Sequence, residues 1–401
     1  MLAHWIWLVN LQGITPGQKR QLLERFPNPE DLYDLEPEDG DPLYPPKIIQ
    51  ALSHKDLTQA HQICLQCKEL GIRAVAYTDP QYPDRLRHIS DPPLLLYYKG
   101  NWPDFDAQPV IGVVGTRKAT ATGKSNTRDM ARELAACGAL VVSGGAAGID
   151  TEAHSGALEL DKPTVAVLGC GVDVVFPASN RKLFEKIGKN GCLISEYPPG
   201  SRPYPWNFLQ RNRIISGISD GLLVVEAPEK SGALNTARHA FSQGRDLFVA
   251  PGNLGVDTCM GSNALLQEGA YAALSGWDVV KHYEPLYPGV VEKRQVEVKM
   301  PLPKVAQTQV MPEKGEKKKA DTSQNVIDNL DKSTYSVINK RPSNLSDQEN
   351  GVFALLSETP QLIDSILDAS DLPSGTVQSI LTRLAIKGLV TQYPDGRICK
   401  K

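Results

Sequence analysis

The chain has 401 residues, with 43 lysines and arginines against 46 aspartates and glutamates, a formal net charge of −3. That length predicts two or three domains, and 41% apolar with 22% charged residues excludes wholesale disorder. The near-neutral charge excludes a protein that coats nucleic acid by bulk positive charge, but not one with a local basic site.

The N-terminus, MLAHWIWLVNLQG, has neither a basic leader nor a small-residue cleavage site, so no signal peptide is expected. No apolar run approaches the length of a membrane span, so no transmembrane helix and no membrane partner are expected. Residues 1–100 carry short helical patterns broken by proline, which read as a small helical domain of the SAM-like or helix-hairpin-helix-like kind. Within it, Gly13-Ile14-Thr15-Pro16-Gly17 reads as a tight turn opening an amphipathic helix, with Thr15 as N-cap and Pro16 at the first helical position. Ile14, Leu22, Leu23 and Phe26 supply its apolar face. Such a unit can hold a DNA backbone, but only Lys19, Arg20 and Arg25 offer charge, so packing is the favoured role. Cys64 and Cys67 form a C-x-x-C that no second pair or histidine cluster completes, so no metal is expected there. Seven scattered cysteines in a chain of this length predict reduced thiols and a cytoplasmic location. Tyr77 to Arg85 and Asp91-Pro92-Pro93 read as an extended connector.

Residues 107–284 change pattern. Short apolar runs recur at Val110–Val114, Leu140–Val142, Thr164–Leu168, Leu193–Ser195, Leu222–Val225 and Leu247–Ala250. They do not alternate, which suits strands buried on both faces of a parallel sheet. Helix-length segments lie between them at Gly123–Cys137, Asp150–Leu160, Asn180–Lys189, Phe208–Ser216, Ala233–Ser242 and Ser262–Glu268. This alternation predicts an α/β fold, an extended Rossmann-like, doubly wound parallel sheet, with ligands at the strand C-termini near the topological switch point.

Residues 285–344 are poor in large apolar side chains and read as a flexible linker, with a solvated lysine cluster at Lys317-Lys318-Lys319. Residues 345–401 predict a winged helix. Ser346 would cap a helix carrying Val352, Leu355 and Leu356; a second helix would cover about Gln361 to Leu367. A third, Pro373 to Ile386, would present Val377, Ile380, Leu381 and Leu384 on one face. A hairpin would close at Asp395-Gly396. This ending holds five basic against seven acidic residues, and its third helix has only Arg383 and Lys387, near its C-terminal end. A reader of DNA sequence wants such side chains at the helix start, so a protein-contact role is favoured for this domain.

The candidate chemistry sits on the α/β loops. The first strand ends in Gly115-Thr116-Arg117-Lys118 and the second in Ser143-Gly144-Gly145-Ala146-Ala147-Gly148, each before a helix. Glycine turns at helix N-termini present amides and partial positive charge to an anion, and Arg117 and Lys118 add full charges. Neither turn carries a G-x-G-x-x-G fingerprint or a P-loop, so nucleotide hydrolysis has no support. The segment from Arg202 through Tyr204, Trp206 and Phe208 to Arg211 and Arg213 interleaves aromatics with arginines, the means by which unpaired strands are stacked and gripped. One of Trp206 and Phe208 is expected to face ligand and the other the core. Ser231-Gly232 opens a further helix beside Lys230. No H-E-x-x-H, no G-x-S-x-G and no compact His/Cys/Asp group is present, so neither a catalytic set nor a cofactor is expected; His154 is read as structural.

These residues carry a resemblance. VGTRKATATG at 114–123, SGGAAGIDTEAHSGAL at 143–158, TVAVLGCGVDVVFPASNRKLF at 164–184 and ISEYPPGSRPYPWNFLQRNRIISGISDGLLVVEA at 194–227 run in order, followed by SGALNTA, VAPGN and GSNALLQEGA. The region is similar to the DNA-processing protein A family (DprA, also called Smf). The resemblance implies a protein that binds incoming single-stranded DNA in natural transformation, protects it and helps load the RecA recombinase, acting as a homodimer without established catalysis. It also implies DNA contact by Arg117, Phe208, Arg211 and Arg213. The competing readings are a Rossmann enzyme that binds nucleotides or cleaves nucleoside monophosphates, and a transcription regulator using the winged helix. Against the former, neither APGNLG nor SGALNTARHA supplies the glutamate of a P-G-G-x-G-T-x-x-E motif.

Residues 107–284 hold 17 basic and 17 acidic side chains. A strand can therefore be bound only through cations gathered on one edge, and Arg117, Lys118, Arg202, Arg211 and Arg213 are the candidates.

Overall fold

The computed structural model describes residues 1–36, 44–294 and parts of 347–400. The chain divides into two compact units, Met1–Val305 and Ala306–Lys401.

The first unit opens with five helices: α1 (Leu2–Asn10), α2 (Pro16–Arg25), α3 (Pro29–Asp34), α4 (Pro46–Leu52) and α5 (Thr58–Leu70). Helix α2 begins where its sequence dictates. The Thr15 hydroxyl accepts from the Gln18 amide, the Gln18 side chain accepts from the Thr15 amide, and Pro16 occupies the first turn, where its missing N–H costs nothing. Ile14, Leu22 and Leu23 are buried as expected. Lys19 is buried too, its ammonium donating to the Val9 carbonyl near the end of α1.

A nine-stranded sheet follows, and it begins earlier than the sequence pattern suggests. Strands β1 (Arg73–Ala76) and β2 (Leu95–Gly100), flanking the short helix α6 (Asp84–Arg87), belong to it and run antiparallel to their neighbours. The segment read as an extended connector is the link between two sheet strands. The predicted runs all form strands: β3 (Val110–Gly115), β4 (Leu140–Ser143), β5 (Thr164–Leu168), β6 (Cys192–Ser195), β7 (Gly221–Val225) and β8 (Asp246–Ala250); a short β9 (Tyr271–Ala272) is added. The spatial order is β1-β2-β6-β5-β4-β3-β7-β8-β9, and β3 to β9 are parallel. Helices α7 (Ala121–Ala136), α8 (Ile149–Leu158), α9 (Arg181–Asn190), α10 (Pro205–Ile218), α11 (Gly232–Ser242), α12 (Asp257–Gln267) and α13 (Gly276–Val280) intervene.

Both faces of the sheet are dry, which explains why the runs do not alternate in polarity. Val110, Val114, Leu140, Val142, Leu222 and Val224 pack with Ile214, Ile215 and Ile218 of α10 on one face. Ile111, Val113, Val141, Leu223 and Val225 pack with Leu134 of α7 and Ile149 of α8 on the other. Successive strand residues thus enter opposite cores. From β3 the chain winds outward through β4, β5 and β6, then returns to β7 on the other side of β3, so the switch point lies at the C-terminal end of β3.

In the second unit, α14 (Asp347–Ala354) precedes a three-stranded antiparallel sheet of β10 (Gln361–Leu362), β12 (Arg397–Lys400) and β11 (Val390–Gln392). Val352, Val377, Ile380, Leu381 and Leu384 are buried together. One expectation fails: Gln361 and Leu362 are a strand paired to Arg397 and Ile398, not the start of a helix. Leu355 is partly exposed rather than core. Of the linker, residues 295–344 with Lys317, Lys318 and Lys319 lie outside the described residues, as do Ser346, Pro373, Arg383, Lys387, Asp395 and Gly396. Among the described residues no helix is long and apolar enough to cross a membrane.

Candidate nucleic-acid interface

A cleft of about 400 Å³ opens at the switch point. Gly115, Thr116 and Arg117 line it from the end of β3 and the turn after it, Asp150 from α8, Phe208 and Arg211 from α10, and Ser231, Gly232 and Ala233 from the start of α11.

The Arg117 turn is fixed by its backbone. Thr116 donates its amide to the Glu226 carbonyl, and its own carbonyl accepts from Ile149 at the start of α8. The Thr116 hydroxyl accepts from the Lys118 amide. Gly148, at φ +85°, lies so close that a Cβ there would stand 2.4 Å from the Thr116 oxygen and 2.7 Å from the Arg117 oxygen. Arg117 and Lys118 are left exposed beyond this rigid turn.

Helix α10 supplies the opposite wall. Pro205 occupies its first turn. Asn207, Arg211, Ile214, Ile215 and Ile218 recur at helical spacing and are buried, while Trp206 and Leu209 face outward. Phe208 is half-buried at the boundary, and the guanidinium carbons of Arg117 and Arg211 lie 5.6 and 5.8 Å from its ring. Trp206 stacks on Tyr204 with centroids 4.6 Å apart and planes within 7°, and both rings are exposed.

Two arginines differ from expectation. Arg211 is buried, its guanidinium donating to the carbonyls of Gly144 and Val167. Burial lowers its pKa to about 10, although the Asp150 carboxylate favours its charged form. It lines the floor of the cleft rather than projecting from it. Arg213 is directed elsewhere, donating to Glu196 at 2.7 and 3.0 Å and to Asp91 at 3.1 Å. Its place is an internal ion-pair network, not the cleft.

The second glycine turn is also used internally. Ser143 is fully buried and donates its hydroxyl to the Val113 carbonyl, bridging two strands. The Gly144 and Ala146 amides donate to the Asp150 carboxylate. Gly145 is buried against Phe184, and its carbonyl accepts from the Asn180 amide group. Burial raises the pKa of Asp150, with Arg211 and the two amides opposing.

The structure therefore brings together Gly115, Thr116, Arg117, Phe208, Arg211, Ser231 and Gly232 around the cleft, with Lys230. Lys118, Arg202 and Trp206 are exposed neighbours of lining residues. Ser143, Gly144, Gly145 and Arg213 serve the scaffold. Ser231 caps α11, accepting from the Ala233 amide. Sequence reasoning missed Asp150, whose signal was an acidic residue just after the second glycine turn, and Glu226, which gives no signal because its role depends on a backbone state. Among the described residues no His, Cys, Asp and Glu group is placed to hold a metal ion.

Residues 73–284 match the family model described as DNA recombination-mediator protein A, and residues 339–396 match the DprA winged helix domain. A relative named Protein Smf from Synechocystis sp. is 32% identical over 404 residues, covering 98% of both chains. The DNA processing protein DprA of Bacillus subtilis is 39% identical over 212 residues, 53% of this chain and 71% of the relative. The X-ray structure of DNA processing protein A from Streptococcus pneumoniae superposes with a TM-score of 0.61 at 33% identity, covering 70% of this chain and 98% of that one.

Proposed function

Because this chain belongs to the DNA recombination-mediator protein A family, we propose that its switch-point cleft binds single-stranded DNA without regard to sequence. The observation that carries this reading is the exposed Arg117 over the Phe208 ring, beside the exposed Tyr204–Trp206 stack. Cations that reach phosphates and open π-faces that accept any base are what sequence-independent strand binding requires. A duplex offers no unstacked base to these rings. The basic side chains at the rim are Arg117, Lys118, Arg202 and Lys230, so binding is local and salt-dependent despite the domain's neutrality.

In this reading the protein acts in the cytoplasm during natural transformation, shielding the incoming strand and passing it to RecA, with no catalytic step. Its buried charged groups at the cleft, Arg211 and Asp150, are held on backbone atoms, not poised over a reacting atom. The acidic winged helix suits a protein contact. Homodimer formation is supported by Tyr271 of the edge strand β9, by Phe241 beside it and by Leu274 just after that strand, all exposed apolar side chains.

The deciding experiment is a titration of short and long oligo-dT strands against a duplex of equal length. Tight, salt-sensitive binding of oligo-dT and weak binding of duplex are expected. Equal affinity for duplex, or no binding of oligo-dT, would overturn the proposal.

A further inference from the structure

Glu226 follows β7 directly at φ +48°, a backbone state uncommon outside glycine, and is 7% exposed. Its carboxylate accepts from the Thr120 amide at 2.8 Å and from the Thr120 hydroxyl at 2.5 Å, at the mouth of the sixteen-residue helix α7. Gly123 is packed against that carboxylate so tightly that a Cβ would stand 2.3–2.5 Å from its carbon and both oxygens. The first glycine turn is therefore built around a carboxylate belonging to the chain itself. The second turn repeats the arrangement, with the Gly144 and Ala146 amides on Asp150.

In doubly wound folds these turns receive the phosphate of a bound nucleotide. Here each holds an anion already. We propose that Glu226 is a specificity-determining residue: a resident anion that takes the phosphate place of the first turn and so denies the site to free mononucleotides. A mononucleotide depends on that one phosphate place and meets a fixed like charge. A strand gathers several contacts to the cations and rings of the rim, and needs no anion in the turn. The strand half of this inference rests on the function proposed above; the exclusion of mononucleotides does not. The left-handed backbone at Glu226 is what aims the carboxylate back across β3 at Thr120, whose loop also carries Arg117.

The test compares the full-length wild-type chain with Glu226→Gly, which empties the place and also suits the positive φ. Binding of inorganic phosphate and of dTMP is followed by phosphorus NMR or calorimetry, and binding of oligo-dT by anisotropy, in one buffer. Glu226→Gly is expected to bind phosphate and dTMP at least tenfold more tightly than wild type, with oligo-dT affinity changed less than threefold. Glu229→Gln, which removes a charge from an exposed side chain nearby, is expected to show no gain. No gain in a folded Glu226→Gly, or an equal gain in Glu229→Gln, would overturn the inference. If Glu226→Gly does not fold, Glu226→Ser makes the same comparison. Oligo-dT that fails to bind wild type would strike the parent reading alone; a missing phosphate gain with oligo-dT bound would strike this one alone.

Discussion

The guanidinium carbon of Arg117 lies 5.6 Å from the centre of the Phe208 ring, joining the turn after β3 to the wall formed by α10. The cation is exposed and its turn is rigid, so it can exchange part of this contact for a phosphate at little entropic cost. Arg117→Ala should weaken oligo-dT binding by about tenfold, as loss of one charged hydrogen bond implies. It should also reduce the slope of log affinity against log salt by about 0.7, the value for one phosphate contact on a single strand. Anisotropy titrations over a salt series measure both. Unchanged affinity and slope would remove Arg117 from the site.

Arg213 makes the opposite prediction. Arg213 is buried, while its partners Glu196 and Asp91 keep 24% and 43% of their side chains exposed. Arg213→Ala removes three charged hydrogen bonds and leaves the partly exposed Glu196 carboxylate to water, a loss of about 1–3 kcal/mol. Urea unfolding should show this loss, while oligo-dT affinity under conditions where the variant is folded should stay within about twofold of wild type. A selective loss of affinity with stability intact would return Arg213 to the interface.

The contrast between Arg211 and Arg213 shows where sequence reading succeeds and where it stops. The parallel strands were legible because dry faces on both sides demand uninterrupted apolar runs such as VIGVV and VAVL. The start of α2 was legible because Thr15 and Pro16 act locally; the reciprocal bond from Gln18 came with the structure. The motif R-N-R, by contrast, looks like one basic patch, yet residues two apart on a helix point to different sides. One arginine therefore meets the carbonyls of Gly144, just after β4, and of Val167 in β5, the other Glu196 and Asp91. Strands β1 and β2 were hidden because β1 is only four residues beginning with Arg73, and a proline-rich segment separates it from β2. Gln361–Leu362 was misread because two residues show no period; pairing with β12 decided their state. Glu226 was invisible because a carboxylate turned inward by a positive φ has no counterpart in sequence pattern.

His154 couples stability to pH. It is fully buried, and its Nδ1 donates to the Thr164 hydroxyl, which itself donates to the Val141 carbonyl. Burial, with Arg211 nearby, lowers its pKa to about 3 from the ordinary 6.5. The folded imidazole thus stays neutral where the unfolded one takes up a proton. Stability contributed by this group is complete above about pH 6.5 and declines as pH falls toward 3. Between pH 7 and 5 the loss should be about 2 kcal/mol. His154→Gln should lower stability at pH 7 yet flatten the decline by that amount, as urea unfolding at the two pH values would show. Parallel pH profiles for the two proteins would mean that another group sets the acid limb.

The Tyr204–Trp206 stack sits on a short segment stiffened by Pro203 and Pro205, with Trp206 60% and Tyr204 44% exposed. An aromatic pair held this far into solvent adds little to the core, so Trp206→Ala should change stability by no more than about 0.5 kcal/mol. If the outer face of Trp206 receives a base, the same substitution should weaken oligo-dT binding by about 1–3 kcal/mol, the usual worth of one stacked base. Tyr204→Ala should have a smaller effect, because Tyr204 acts by holding the indole in plane. Tryptophan emission reports the stacking directly: oligo-dT should quench it in wild type, and Trp206→Ala should abolish most of that quench although four other tryptophans remain. Quenching that survives the substitution, or equal affinity for oligo-dT, would place the strand's path away from this stack and leave Phe208 as the ring that meets the bases.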